Sequence, residues 1–255
     1  MSGLTDFQVT VTRLFFSLPA SSGFLFAGGG ALLASGLTTR PTQDLDFFGG
    51  SAHVDIEAAR DQLETAVVQR GWRCERVQDS GSFVRFRLSG DDDIVVDLAI
   101  DVPAERPPVI TIAGPTLHPE ELAGRKLAAL FGRAEARDFA DVFALAQHFD
   151  RSVIMQRAAE VDLGFDRRVL AEMMMTIDRF DDDELPIDPS KVAALRAFFE
   201  HWPTNSAVRR THPVDAAVIT LPAHTAGAEK HGPNPDGGSD RFRCLATSHG
   251  GRGGT

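Results

Sequence analysis

Two aspartates at i and i+2, Asp44 and Asp46, follow a glycine run, Gly28-Gly29-Gly30, in the stretch GGGALLASGLTTRPTQDLDFF. On a strand, alternate side chains share a face, which sets these carboxylates side by side, about 7 Å apart along the chain. Like charges held so close repel, and a cation between them relieves the repulsion. Hard divalent ions such as Mg²⁺ or Mn²⁺ take oxygen ligands and complete their shell with substrate phosphates. Glycines that expose backbone N–H groups at a helix start suit those phosphates, and Gly28 and Gly29 let the main chain approach closely. The same glycines also satisfy a strand-to-helix turn that needs positive φ. The chemistry spelled out is phosphoryl or nucleotidyl transfer from a metal-bound nucleotide.

These residues need elements to hold them. A helix is predicted over 4–18, ended by Pro19, then a short strand Phe24–Ala27, a helix Gly30–Leu37 and the carboxylate strand Leu45–Phe48. Asp55–Arg70 is amphipathic, with Ile56, Ala59, Leu63, Ala66 and Val67 on one face and Gly71 as its stop. Trp72–Val77, Ser82–Leu88 and Ile94–Ile100 read as strands, the last two joined by the turn Ser89-Gly90-Asp91-Asp92-Asp93. From Pro119 the period becomes helical, giving helices at 119–131, 135–148, 151–160, 166–178 and 189–201, with the acidic connector Asp181–Pro186 as a solvated loop. The fold class is α+β: a mixed sheet flanked by helices over 1–115, then a C-terminal helical bundle over 116–203. The remaining 204–255, rich in Pro and Gly, reads as a disordered tail. Its histidines His212, His224, His231 and His249 lack metal-ligand spacing.

Composition bounds the partners. A net charge of −10 argues against broad, non-specific nucleic-acid binding but leaves room for a local basic groove, and it suits a cationic small molecule or basic partner. No apolar run approaches the roughly 20 residues of a membrane span, and the N-terminus lacks a secretory signal pattern. Cys74 and Cys244 form no ligand pattern. A reduced, cytoplasmic protein is the expectation. The chain has 18 Phe and no Tyr, for which we have no physical account.

The glycine turn, the Asp-x-Asp pair and a further strand acid resemble the site plan of polymerase β-like nucleotidyltransferases. More narrowly, Gly28-Gly29-Gly30, Arg40-Pro41-Thr42 and Asp44-Leu45-Asp46-Phe47 resemble the AbiEii/AbiGii-type nucleotidyltransferase toxins, which include the mycobacterial MenT toxins. A second family motif matches Lys126-Leu-Ala-Ala-Leu-Phe-Gly-Arg133, then Arg137-Asp138-Phe-Ala-Asp141-Val142. The resemblance covers residues 20–150, and the helical region to 202 in outline.

The resemblance implies that Asp44 and Asp46 hold the metal against a triphosphate and that a third acid completes the site. Asp97 is assigned that place, because an Asp flanked by Val95, Val96 and Leu98 is costly to bury without a partner or a metal. It would also help take the proton of an acceptor hydroxyl, whereas Asp101 reads as a strand-end residue. Lys126 resembles the lysine that touches the triphosphate, and Asp138 falls where relatives carry an acid needed for activity. Arg40 pairs with phosphate or with the acids. Arg137 and Asp141 serve either the site or a network between helices. Gly30 departs from the Thr or Ser of relatives, so only backbone contact remains there, and Thr42 offers a substitute hydroxyl. The implied reaction moves NMP from an NTP to an acceptor hydroxyl, with two metal ions assisting in-line attack on the α-phosphorus. Inherited from the family are a tRNA 3′ end as acceptor and a cognate antitoxin as partner. The competing readings are an aminoglycoside-like acceptor on the same core, and a catalytically silent nucleotide-binding relative.

Overall fold

The computed structural model describes residues 3–202; the expected disorder of residues 204–255 concerns a stretch outside the described residues. Helix α1 (Asp6–Phe16) opens with a capping box, Thr5 and Gln8 bonding reciprocally, and a short 3₁₀ turn, Pro19–Ser21, follows it. Strand β1 (Leu25–Ala27) leads directly into α2 (Gly28–Ala34), which therefore takes in all three glycines and starts two residues earlier than the sequence suggests. Next come β2 (Asp44–Gly49), α3 (Ile56–Gln69), β3 (Arg73–Ser80), β4 (Phe83–Ser89) and β5 (Asp93–Ile100). Two short strands, β6 (Val109–Thr111) and β7 (Gly114–Thr116), precede the helices α4 (Pro119–Gly132), α5 (Ala136–Leu145), α6 (Arg151–Val161), α7 (Arg167–Met175) and α8 (Val192–His201).

The seven strands form one mixed sheet in the order β3-β4-β5-β2-β1-β7-β6. β2 runs parallel to β5 and antiparallel to β1, and β4 runs antiparallel to β5. Period-2 alternation sorts the faces. Leu45 and Phe47 of β2, Val84, Phe86 and Leu88 of β4, and Ile94, Val96 and Leu98 of β5 are buried. α3 packs against β3, β4 and β5. The phenylalanines knit this layer: Phe15 of α1 lies 4.1 Å, ring to ring, from Phe47, and Phe26 lies 5.6 Å from it. Intervening residues of opposite parity, Asp44, Asp46 and Phe48, then Asp97 and Ala99, then Phe83 and Arg85, look into an open cleft. The fully buried apolar side chains that stabilise this sheet thus oblige its polar ones to share the other face.

The helical half supplies the cleft's other wall. α4 begins with Pro at its first position behind an His118 cap and packs against α2, α5, α6 and α7. Its residues Leu122, Arg125, Lys126 and Ala129 form a stripe at helical spacing that lines the cleft, continued by Arg133 just past its end. Among the described residues no helix is long and apolar enough to cross a membrane.

Candidate active site

The cleft holds about 510 Å³ and is bounded by β2, β4 and β5 on one side and α4 on the other. A single row of paired residues crosses its floor: Ala27 on β1 faces Asp46 on β2, Asp46 faces Asp97 on β5, and Asp97 faces Arg85 on β4. Asp44 stands one pleat along β2 from Asp46, on the same face. The sheet register thus brings Asp97 of β5 beside Asp44 and Asp46 of β2, which lie far from it in sequence.

Their environments differ. Asp97 is buried and receives a bidentate pair from Arg85, Nε to Oδ1 at 2.8 Å and Nη2 to Oδ2 at 2.7 Å. Asp44 accepts from Arg137 Nη1 at 3.0 Å. No hydrogen bond or ion pair from the described residues reaches the Asp46 carboxylate. Its pKa is pushed up to about 6, first by burial and then by the charges of Asp97 and Asp44, with Lys126 pulling the other way. A half-buried, unpartnered carboxylate between two others is the environment a divalent cation relieves. Gly28 fits the same picture: its φ is +62°, and a Cβ there would lie 1.8 Å from Asp46 Oδ2, so only glycine can pass so close. These features suit a divalent ion at Asp46. The three carboxylates are nonetheless not drawn into one cage, and among the described residues no three His, Cys, Asp or Glu side chains are grouped to hold an ion.

Six cations line the cleft: Arg40, Arg85, Arg125, Lys126, Arg133 and Arg137. Arg40 and Lys126 meet at one buried acid, Asp141, with Arg40 Nε and Nη2 at 2.8 and 2.9 Å and Lys126 Nζ at 2.7 Å. Burial alone would raise the Asp141 pKa, but Lys126 and Arg40 outweigh it and hold the carboxyl below its ordinary value. Arg125 pairs with Asp101 and donates to the Val102 carbonyl. Arg133 grips Asp138 at 2.9 and 3.1 Å.

Of the residues singled out from sequence, Gly28, Gly29, Arg40, Thr42, Asp44, Asp46, Asp97 and Lys126 all line the cleft. Thr42 Oγ1 accepts the Asp44 N–H at 3.2 Å, which leaves its own proton to donate. Gly30 and Asp138 do not line it. A Cβ at Gly30 would sit 2.6 Å from the Phe26 ring, in the core, so no side chain at position 30 reaches the cleft without moving that ring. Asp138 is fully buried, bonded to Arg133 and to the Glu135 N–H as half of the capping box that starts α5. Sequence reasoning missed Arg85 and Arg125 and gave Asp101 only a structural part. Only the cross-strand register of β4 on β5 singles out Arg85.

A mixed sheet with three aspartates on one face, a glycine turn against one of them and a cation-lined cleft suits a nucleotidyltransferase. Residues 13–218 match the family model of the nucleotidyl transferase AbiEii toxin of type IV toxin–antitoxin systems, and the chain belongs to that family. A putative nucleotidyltransferase from Helicobacter pylori shares the fold, at a TM-score of 0.51 and 20% identity over 77% of this chain and 95% of that one. MenT4, a nucleotidyltransferase toxin from Mycobacterium tuberculosis H37Rv, is similar at a TM-score of 0.48 and 14% identity, covering 78% of this chain and 82% of that one. No curated protein matches the chain by sequence.

Proposed function

We propose that the chain transfers NMP from an NTP to the 3′-terminal hydroxyl of tRNA, assisted by Mg²⁺ or Mn²⁺, as a toxin held in check by a cognate antitoxin. The observation that carries the transferase chemistry is Asp46, an unpartnered carboxylate between Asp44 and Asp97, faced across the cleft by Lys126 and four arginines of the cation wall besides Arg85. A divalent ion held by Asp44, Asp46 and Asp97 would offset triphosphate charge and make the acceptor hydroxyl more acidic.

The chain's own residues do the rest. Gly28 and Gly29 bring backbone against the phosphates, and Lys126 adds a point charge whose position Asp141 fixes. Arg40 and Thr42 border the same phosphates. The new bond joins the acceptor oxygen to the α-phosphorus while the α–β bridging bond breaks, and pyrophosphate leaves toward the cations. In this reading Asp97 receives the acceptor's proton once its pairing with Arg85 opens. The cytoplasm, where NTPs and tRNA meet, is the compartment this reaction requires.

The test is incubation with α-labelled NTPs, Mg²⁺ and total tRNA, beside Asp44→Ala and a tRNA whose 3′ ribose has been oxidised with periodate. We expect label on intact tRNA only, reduced at least about 100-fold by Asp44→Ala. Transfer to an aminoglycoside instead, which the net charge of −10 would suit, overturns the acceptor. Retained NTP binding with no transfer to any acceptor overturns the catalytic reading.

A further inference from the structure

The cations of the cleft are not equivalent. Arg85 is 43% exposed in its side chain, whereas the Asp97 it grips is 7% exposed. The acid is fixed in the sheet floor, and its partner is a long side chain on the open side of it. While it grips Asp97, the Arg85 guanidinium also lies 5.5 Å from the ring centre of Phe83, which borders the same cleft. Each oxygen of Asp97 takes one prong of the fork, so another cation would have to share that carboxylate with a guanidinium of like charge while the pair is closed. Asp46, directly opposite on β2, keeps its oxygens without a partner.

We infer that Arg85 is a positioning residue that stands in for the cation on Asp97 while the cleft is empty, and must swing off before Asp97 can share an ion with Asp46. Lys126 and Arg137 cannot substitute for it: Lys126 is tied to Asp141 and Arg137 to Asp44. The consequence of this latch is that ion affinity is low until something draws Arg85 away, and the phosphates of an incoming NTP, of opposite charge and in the same cleft, are suited to do so. The inference rests on the reading that these aspartates hold a divalent ion.

The experiment measures Mn²⁺ binding to the full chain without nucleotide, from the electron paramagnetic resonance signal of free Mn²⁺. Arg85→Met should bind Mn²⁺ roughly two- to fivefold more tightly than the wild type, as expected for the loss of one competing, partly exposed ion pair. Arg85→Lys should tighten binding as well, because it keeps the charge but loses the two-pronged grip. In an Asp97→Asn background, Arg85→Met should change nothing. A merely structural role would weaken binding on mutation. General charge repulsion would leave Arg85→Lys at the wild-type affinity and let the effect of Arg85→Met persist without the Asp97 carboxylate. Either result overturns the latch. Asp46→Asn separates the two levels: if it binds Mn²⁺ as well as the wild type, the metal reading itself fails and the latch with it. If it abolishes binding while Arg85→Met has no effect, only the latch fails. Circular dichroism confirms that each variant is folded.

Discussion

At the scale of single residues, Asp46 carries the most consequence. Its pKa of about 6 in the folded chain lies above the unfolded value near 3.9. The folded state therefore binds the proton more tightly, and the stability this confers, complete below about pH 4, is lost as pH rises through about 6. Asp46→Asn should therefore match the wild type near pH 4 and exceed it at pH 7–8, by at most about 3 kcal/mol. Urea denaturation across that pH range measures this, and a constant gap at every pH would refute it. Asp44 and Asp46 were legible in sequence because i, i+2 acids behind a glycine run have few other uses. Arg85 was not, because it alternates with Arg87 along a strand exactly as solvent-facing residues do, and no spacing within one strand reveals what lies opposite it. Asp97 was found through the cost of burying it, which is the physical reason it has a partner at all.

At the scale of elements, most boundaries follow from periodicity and caps, and the exceptions have causes. β6 and β7 were not anticipated because three-residue strands are too short to carry a period, and β7 itself contains Gly and Pro. Asp138 belongs to a family motif, and in the fold it also caps the start of α5 together with Glu135. Gly30 shows how an element can overrule a motif. As the third residue of α2 it packs against Phe26, and a hydroxyl there would be aimed into apolar core. Gly30→Ser should cost about 1–3 kcal/mol through overpacking, without gain in transfer rate. Phe26→Leu in the same chain should recover part of that loss although it is destabilising alone, an interaction that a double-mutant cycle by denaturation would read. Additive effects would show that the ring and position 30 do not meet.

At the scale of the whole molecule, a chain of net charge −10 concentrates six cations on one cleft. The sequence disclosed the total but not the placement, because Arg40, Arg85 and the α4–α5 cations converge only through the fold. Asp141 is the knot. It is fully buried and holds Arg40, from the loop before β2, together with Lys126 of α4, both with side chains little more than a tenth exposed. Asp141→Asn leaves two such cations short of a counter-charge and should cost about 3–5 kcal/mol. It should also weaken NTP binding, as measured by calorimetry on the folded variant. Unchanged stability would mean that water already serves these cations.

The Asp141 knot also limits how such a protein can be recombined. Arg40 is contributed ahead of the central strands, while its counter-charge arrives about a hundred residues later, on the helix after α4. A hybrid gene joined anywhere between them would unite a loop from one parent with an acid from another, and would work only where both parents place a carboxylate at the same turn of that helix. Crossovers beyond α5 escape this condition, so viable exchange among relatives should cluster there.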